Sequence, residues 1–198
     1  MKPLTTLIFA TNNQHKVEEI RKVIGNLFTI LTLKEAGIDM DIPEPYDTLE
    51  ANASAKSATI YQLTGQNCFS EDSGLLVAAL NGEPGVKSAR YAGDTRDFQA
   101  NIDKLMHHMQ GQTNRAAAFT TVISLILDGK EYLFKGTCKG NIALSQRGAG
   151  GFGYDPVFIP DGSNRTFAEM SLEEKNAISH RRKATDQLIA FLQRTSKA

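Results

Sequence analysis

Glu71-Asp72-Ser73-Gly74 sets two adjacent carboxylates directly after the apolar Cys68-Phe69, at what reads as the end of a buried strand, where open α/β sheets place their ligands. Glu44, fixed between Pro43 and Pro45, adds a third acid in a loop that cannot be regular helix. Such hard oxygen donors suit Mg²⁺, which takes one or two carboxylates and leaves its other positions to water and substrate phosphates. The competing reading of the adjacent acids is a solvated loop. Thr11-Asn12-Asn13-Gln14-His15-Lys16 lies where a strand delivers the chain to a helix, and the unpaired N–H groups of a helix N-terminus suit phosphate oxygens. Thr11 and Asn13 would add side-chain hydrogen bonds and Lys16 a cation; alternatively Asn12 or Asn13 only caps the helix and Lys16 is a solvated charge. No GxxxxGK[ST] occurs, so this is not a Walker A loop.

Residues 150–156 read Gly-Gly-Phe-Gly-Tyr-Asp-Pro. Glycine lets backbone approach a ligand and a neighbouring ring gives a flat base something to stack on, so the segment reads as a pocket wall or as a tight turn between core elements. Lys175, His180, Arg181, Arg182 and Lys183 form a basic cluster. It reads as a helix face whose charges suit the dipole, or, because Ile178-Ser179-His180-Arg181 breaks the apolar stripe, as an interrupted helix that turns His180 and Arg181 inward. His15, His107 and His108 have no carboxylate or serine partner at a recognisable spacing, which argues against a nucleophilic triad; His107 and His108 read as exposed positions on a helix.

The elements that must position these groups follow from periodicity. Residues 5–10 read as a buried strand, and Val17, Ile20, Ile24 and Leu27 mark one face of a helix ending near Gly25 and Asn26. A second strand is expected at 28–33 and a helix at 48–63, closed by Gly65. A short strand at 67–70 leads into the acids, followed by an apolar run at 75–80 and a turn at 81–85. A helix over 95–109, a strand over 116–127, an Asp128-Gly129 turn and a strand over 132–139 come next; that hairpin requires antiparallel pairing. Ser171-Leu172-Glu173-Glu174 is a capping box opening the last helical segment, where Ala184, Leu188, Phe191 and Leu192 share a face. The predicted class is α/β, with a mixed, mostly parallel central sheet and an antiparallel hairpin, covered by helices.

At 198 residues and 41% apolar composition the chain fits one domain spanning 1–198. Lys plus Arg balance Asp plus Glu at 22 each, so there is no general attraction to nucleic acid or anionic membrane, and any anion site must be local. Cys68 and Cys138 lack metal-ligand spacing and read as buried free thiols of a reducing cytosol. Residues 7–10 are too few for a secretory signal or a membrane span, so a cytoplasmic protein is expected.

The motifs Ala10 to Lys16, Glu71 to Gly74, Ser88-Ala89-Arg90-Tyr91, Gly150 to Pro156 and Glu173 to Arg181 occur in this order along almost the whole chain. Together they resemble the inosine triphosphatase, Ham1-like family of purine nucleoside triphosphate pyrophosphatases. The resemblance implies an elongated two-lobed single domain with a nucleotide groove, assembled as a homodimer. It also implies Mg²⁺-dependent hydrolysis of ITP, dITP and XTP to the nucleoside monophosphate and pyrophosphate, which clears deaminated purines from the nucleotide pool. On this likeness Thr11, Asn13 and Lys16 contact the triphosphate, with Asn12, Gln14 and His15 in the same substrate-binding stretch. Asp72 and Glu44 hold the metal, Asp72 doubles as general base, and Ser73, Phe152, Gly153, Tyr154, Asp155, Lys175, His180 and Arg181 complete the nucleotide site, with Phe152 as the stacking ring.

Two departures stand out. Many members carry Asp-Asp-Ser-Gly where this chain has Glu71-Asp72-Ser73-Gly74, and Pro43-Glu44-Pro45-Tyr46 replaces the usual Glu-Thr-Gly run. In-line attack of water on α-phosphorus would need the leaving charge neutralised by Mg²⁺, Lys16, Lys175 and the first helix N-terminus. Donors from His180, Arg181 or backbone near the purine O6 would reject adenine. Two rivals are Maf-like pyrophosphatases of other nucleotides, whose Ser-Pro-Arg-Arg-like signature is absent, and a single-stranded nucleic-acid-binding module built on Phe152, Tyr154 and residues 180–183. No stable nucleic-acid partner and no membrane contact are expected.

Overall fold

A computed structural model of the chain describes residues 6–24 and 28–195. Thr5 of the first expected strand, the expected helix end at Gly25 and Asn26, and Leu27 of the first apolar face lie outside the described residues. The elements run β1 (Thr6–Phe9), α1 (Gln14–Ile24), β2 (Thr29–Thr32), α2 (Leu49–Thr64), β3 (Cys68–Val77), β4 (Pro84–Gly85), α3 (Phe98–His108), β5 (Ala116–Leu127), β6 (Lys130–Ile142), β7 (Phe158–Pro160), α4 (Leu172–Ile178) and α5 (His180–Thr195). The sheet order is β2-β1-β3-β5-β6-β7, with β4 on β3. β1 pairs in parallel with β2 (Thr6 opposite Thr29) and with β3 (Ile8 opposite Cys68), whereas β3–β4 and β6–β7 are antiparallel. This is the mixed α/β class that the alternation of helices and strands predicts.

Local chemistry sets the boundaries. Leu7, Ile8 and Phe9 are all buried, as a central strand covered on both faces requires. Thr48 caps α2 by accepting from the Ala51 N–H at 3.2 Å, and Gly65, left-handed at φ 64°, closes it by donating to the Tyr61 carbonyl at 2.8 Å. Asp128 and Gly129 both have positive φ, 50° and 79°, the conformation that a two-residue hairpin turn demands. Asp97 caps α3, so that helix starts at Phe98 rather than at 95.

One expectation is corrected. The acids do not sit in a loop at a strand end: β3 runs on without interruption from Cys68 to Val77, with Glu71 and Asp72 in its middle. Two acids are tolerated in this buried strand because each has a buried cationic partner, and β4 pairs with the far end of β3, Leu75 opposite Gly85.

The chain packs as two compact units. Of the described residues, unit 1 holds those up to Asp72, Thr121–Gly136, and those from Arg181 onward; unit 2 holds Ser73–Thr120 and Thr137–His180. In unit 1, Leu7, Phe9, Val17, Ile20, Phe69, Ile123, Leu188 and Leu192 form the larger core, with Phe9 and Phe69 stacked at 4.4 Å. A second cluster joins Ile8, Leu33, Ile60, Cys68 and Ile126. In unit 2, Leu75, Ile102, Leu105, Phe119, Val157, Phe158 and Phe167 form the core. Cys68 and Cys138 are buried and free, and burial pushes the Cys68 thiol up to about 12. Among the described residues no helix is long and apolar enough to cross a membrane.

Candidate active site

At the start of α1 the loop wraps on itself. Thr11 Oγ1 accepts from the Asn13 N–H at 3.1 Å, and Asn13 Oδ1 accepts from the Lys16 N–H at 3.3 Å, so Asn13 is the helix cap. Asn12 donates to the Met40 carbonyl at 2.9 Å. Gln14 and His15 are exposed on the first turn. Lys16, one turn in, points its ammonium at Glu71, 3.1 Å from Oε1.

Glu71 is the hub of a buried charge network in unit 1. The Arg181 guanidinium grips it in a fork, Nε to Oε2 at 2.8 Å and Nη2 to Oε1 at 2.9 Å, and Nη1 donates to Glu19 of α1. Two carboxylates and two cations thus neutralise one another out of contact with water, with only Lys16 partly accessible. Burial alone would raise the Glu71 pKa; the fields of Arg181 and then Lys16 outweigh it and hold the carboxyl at about 2. The interrupted helix is what delivers the arginine. α4 ends at Ile178, Ser179 swings to an extended ψ of 156° while its N–H closes on the Lys175 carbonyl at 2.9 Å, and α5 starts at His180. His180 and Arg181 are both buried, as the broken apolar stripe predicts.

Asp72, the next residue of β3, meets a different environment, because neighbouring side chains of a strand leave opposite faces. Lys56 of α2 lies 3.4 Å from Asp72 Oδ1 and 2.5 Å from Glu44 Oε1, holding both carboxylates on one ammonium. Asn52, one turn earlier on the same buried helix face, hydrogen-bonds both ways with the Tyr46 backbone, 2.9 and 3.0 Å, and so pins the Glu44 loop. Asp72 Oδ2 is buried with no hydrogen-bond partner among the described residues. Burial raises the Asp72 pKa above the ordinary carboxylate value; Lys56 and Lys16 oppose this, while Glu44 adds to it.

The donor set suits Mg²⁺. Two converging carboxylates, Glu44 and Asp72, share the Lys56 ammonium, and one oxygen among them is unsatisfied. Two carboxylates, with water and phosphate oxygens for the rest, is the arrangement this ion favours. Glu71 is engaged instead by Arg181 and Lys16.

Unit 2 carries the aromatic cluster. Asp155, buried, accepts from the Phe152 N–H at 2.8 Å and from Lys175 Nζ at 2.7 Å, so this carboxylate braces the 150–156 loop. Gly151, at φ 72°, is required by that brace: a Cβ there would lie 2.0 Å from Asp155 Oδ2. Gly153 is also left-handed, φ 61°, but faces open space. Tyr154 is buried, and its hydroxyl donates to the Ser88 carbonyl at 2.8 Å, tying the loop to the Ser88-Ala89-Arg90-Tyr91 segment. The Phe152 ring is half-buried, with Lys175 Nζ 4.8 Å from its centroid and Phe98 tilted beside it at 6.1 Å. His180 stacks on Phe119 at 4.7 Å, and Ser73 is half-buried on β3. His107 and His108 are exposed on α3 as expected, although His108 Nδ1 also meets the Tyr91 hydroxyl at 2.8 Å. Arg182 pairs on the surface with Asp186 at 2.8 Å.

Sequence reasoning missed Lys56, Asn52, Glu19 and Phe98. A signal existed for two of them: Asn52 and Lys56 stand four apart within the Ala- and Ser-rich first half of a helix, and such spacing places both on one face.

Comparison with known proteins finds the family that the motifs resemble. The sequence model of the Ham1 family matches residues 7–191. A dITP/XTP pyrophosphatase of Flavobacterium johnsoniae is 48% identical over 96% of this chain and 98% of its own length. One from Porphyromonas gingivalis is 49% identical over 94% and 96%. Among solved structures, the Staphylococcus aureus Ham1 protein superposes with a TM-score of 0.87 at 40% identity, over 96% of this chain and 98% of that one. A HAM1 protein from Coxiella burnetii gives 0.89 at 35% identity, over 96% and 100%.

Proposed function

Because this chain belongs to the Ham1 family, we propose that it hydrolyses deaminated purine nucleoside triphosphates, ITP, dITP and XTP, to the nucleoside monophosphate and pyrophosphate. The observation that carries the reading is Asp72: a buried carboxylate with raised pKa and an unsatisfied oxygen, converging with Glu44 on one cation.

Asp72 and Glu44 are the residues that would hold Mg²⁺, which when bound supplies Lewis-acid neutralisation of the phosphate oxygens. The N-terminus of α1, with Thr11, Asn13 and Lys16, receives the phosphates through backbone N–H groups and an ammonium already oriented by Glu71. Asp72 orients the attacking water and accepts its proton; a carboxyl whose pKa burial has raised is a better base than an exposed one. Lys175 acts differently from the sequence expectation of leaving-group neutralisation: its charge is met by Asp155, and it steadies Phe152, on which the purine stacks. Since the Arg181 guanidinium is engaged by Glu71 and Glu19, recognition of O6 rests on His180 and the backbone of the 150–156 loop. A single Ham1-like domain, a homodimer and a cytoplasmic location complete the proposal. The family match over most of the chain supports the first, the family resemblance the second, and two free thiols the third.

The test is pyrophosphate release from ITP, XTP, dITP, GTP and ATP, with and without Mg²⁺. Release confined to the first three and lost with EDTA is expected. Equal turnover of ITP and GTP would overturn the specificity, and full activity in EDTA would overturn the metal assignment.

A further inference from the structure

Phe98 opens α3 immediately after the cap Asp97, whose carboxylate accepts from the Ala100 N–H at 3.0 Å. The buried face of that helix is Asn101, Ile102 and Leu105; Phe98 continues that face by its spacing, at the helix start, but remains 38% exposed. This large apolar ring lies at the edge of the helix's apolar face and is not among the buried residues that form the core of unit 2. Its ring contact is Phe152, with centroids 6.1 Å apart and planes inclined at 45°, within the range of favourable tilted aromatic pairs.

Gly151 and Gly153, which flank Phe152, are both left-handed, and Asp155 braces the loop at the Phe152 amide. The ring is steered by Lys175 Nζ at 4.8 Å and by Phe98. We propose that Phe98 is a positioning residue that fixes the Phe152 ring for stacking on the purine and so sets affinity for the substrate. The inference rests on the nucleotide-binding reading above. Phe98 works through Phe152 on the base and not on the reacting phosphates, so it acts on KM and leaves kcat alone.

The test is a double-mutant cycle on dITP hydrolysis with Phe98→Ala, Phe152→Ala and the pair, with melting temperatures measured in parallel. Phe98→Ala is expected to raise KM about fivefold with kcat within about twofold, and to add nothing further in the Phe152→Ala background. Phe98→Tyr is expected to restore KM. Independent, multiplying effects of the two substitutions, or a lowered melting temperature with unchanged KM, would overturn the proposal. The chain contains no tryptophan, so Phe152→Trp introduces a sole indole, whose fluorescence anisotropy should fall when Phe98→Ala is added, with or without nucleotide. A wild-type protein that releases no pyrophosphate from dITP or XTP removes the functional reading instead, and ring positioning then stands or falls on the anisotropy alone.

Discussion

Replacing Glu71 by Gln keeps the shape of the side chain and removes the charge at the centre of the Lys16, Arg181 and Glu19 network. The carboxyl is held at about 2 against an unperturbed 4.5, and that gap corresponds to about 3 kcal/mol of stability for a fully buried group. Leaving Arg181 with Glu19 alone points to a loss of the same size, since breaking a buried ion pair from one side costs roughly 3–5 kcal/mol. In a chain of this length, about 3 kcal/mol lowers the melting temperature by roughly 6–12 °C. The sign with pH follows from the depressed folded pKa: the contribution is complete above the unfolded value of 4.5 and disappears as pH falls toward 2. Urea unfolding of wild type and Glu71→Gln at pH 7, 5, 4 and 3 should therefore show a difference that is constant down to about pH 5 and shrinks below it. A difference under about 1 kcal/mol at pH 7, or one as large at pH 3 as at pH 7, would show that the network does not hold this part of unit 1 together.

The neighbouring acid should behave in the opposite way. Burial raises the Asp72 pKa, so its charge opposes folding at neutral pH, a cost that vanishes below the ordinary carboxylate range, where the group is protonated whether folded or not; Asp72→Asn should match or exceed the wild-type melting temperature at pH 7 while losing most turnover. Activity within about tenfold of wild type would remove Asp72 from the mechanism, and a large fall in melting temperature would contradict the reading of its burial. Gly151→Ala forces a methyl to 2.0 Å from Asp155 Oδ2, whereas Gly153→Ala meets nothing. The first should lower the melting temperature and raise KM through release of Phe152, and the second should cost only the left-handed strain of about 1 kcal/mol; equal effects in the two variants would contradict the bracing role of Asp155.

Much of this was legible because local rules and tertiary packing agree. The 116–127 strand, the Asp128-Gly129 turn, the Thr48 and Gly65 ends of α2 and the helix break at Ser179 all follow from turn, cap and pattern chemistry that acts within a few residues. Strand continuity through Glu71-Asp72-Ser73-Gly74 was not legible, because what stabilises it is far away in sequence: Arg181 is 110 residues from Glu71, and Lys56 is 16 residues from Asp72. A local reading charges two adjacent acids with the full cost of burial and therefore sends them to a loop.

That misplacement bears on the chemistry. In a loop, Glu71 and Asp72 would be two interchangeable metal ligands, and the extra methylene of Glu71 would only shift one of them. In a strand they must face opposite ways, so one sequence step separates two electrostatic environments. Glu71 is pushed down by two cations and serves as an anchor that aims Lys16; Asp72 is pushed up by burial and keeps an oxygen unsatisfied. Carboxyls driven apart in this way fall into separate roles. The longer side chain at 71 therefore belongs with the arginine fork, which it meets through both oxygens; under the proposed function the metal and the attacking water then fall to Asp72 with Glu44.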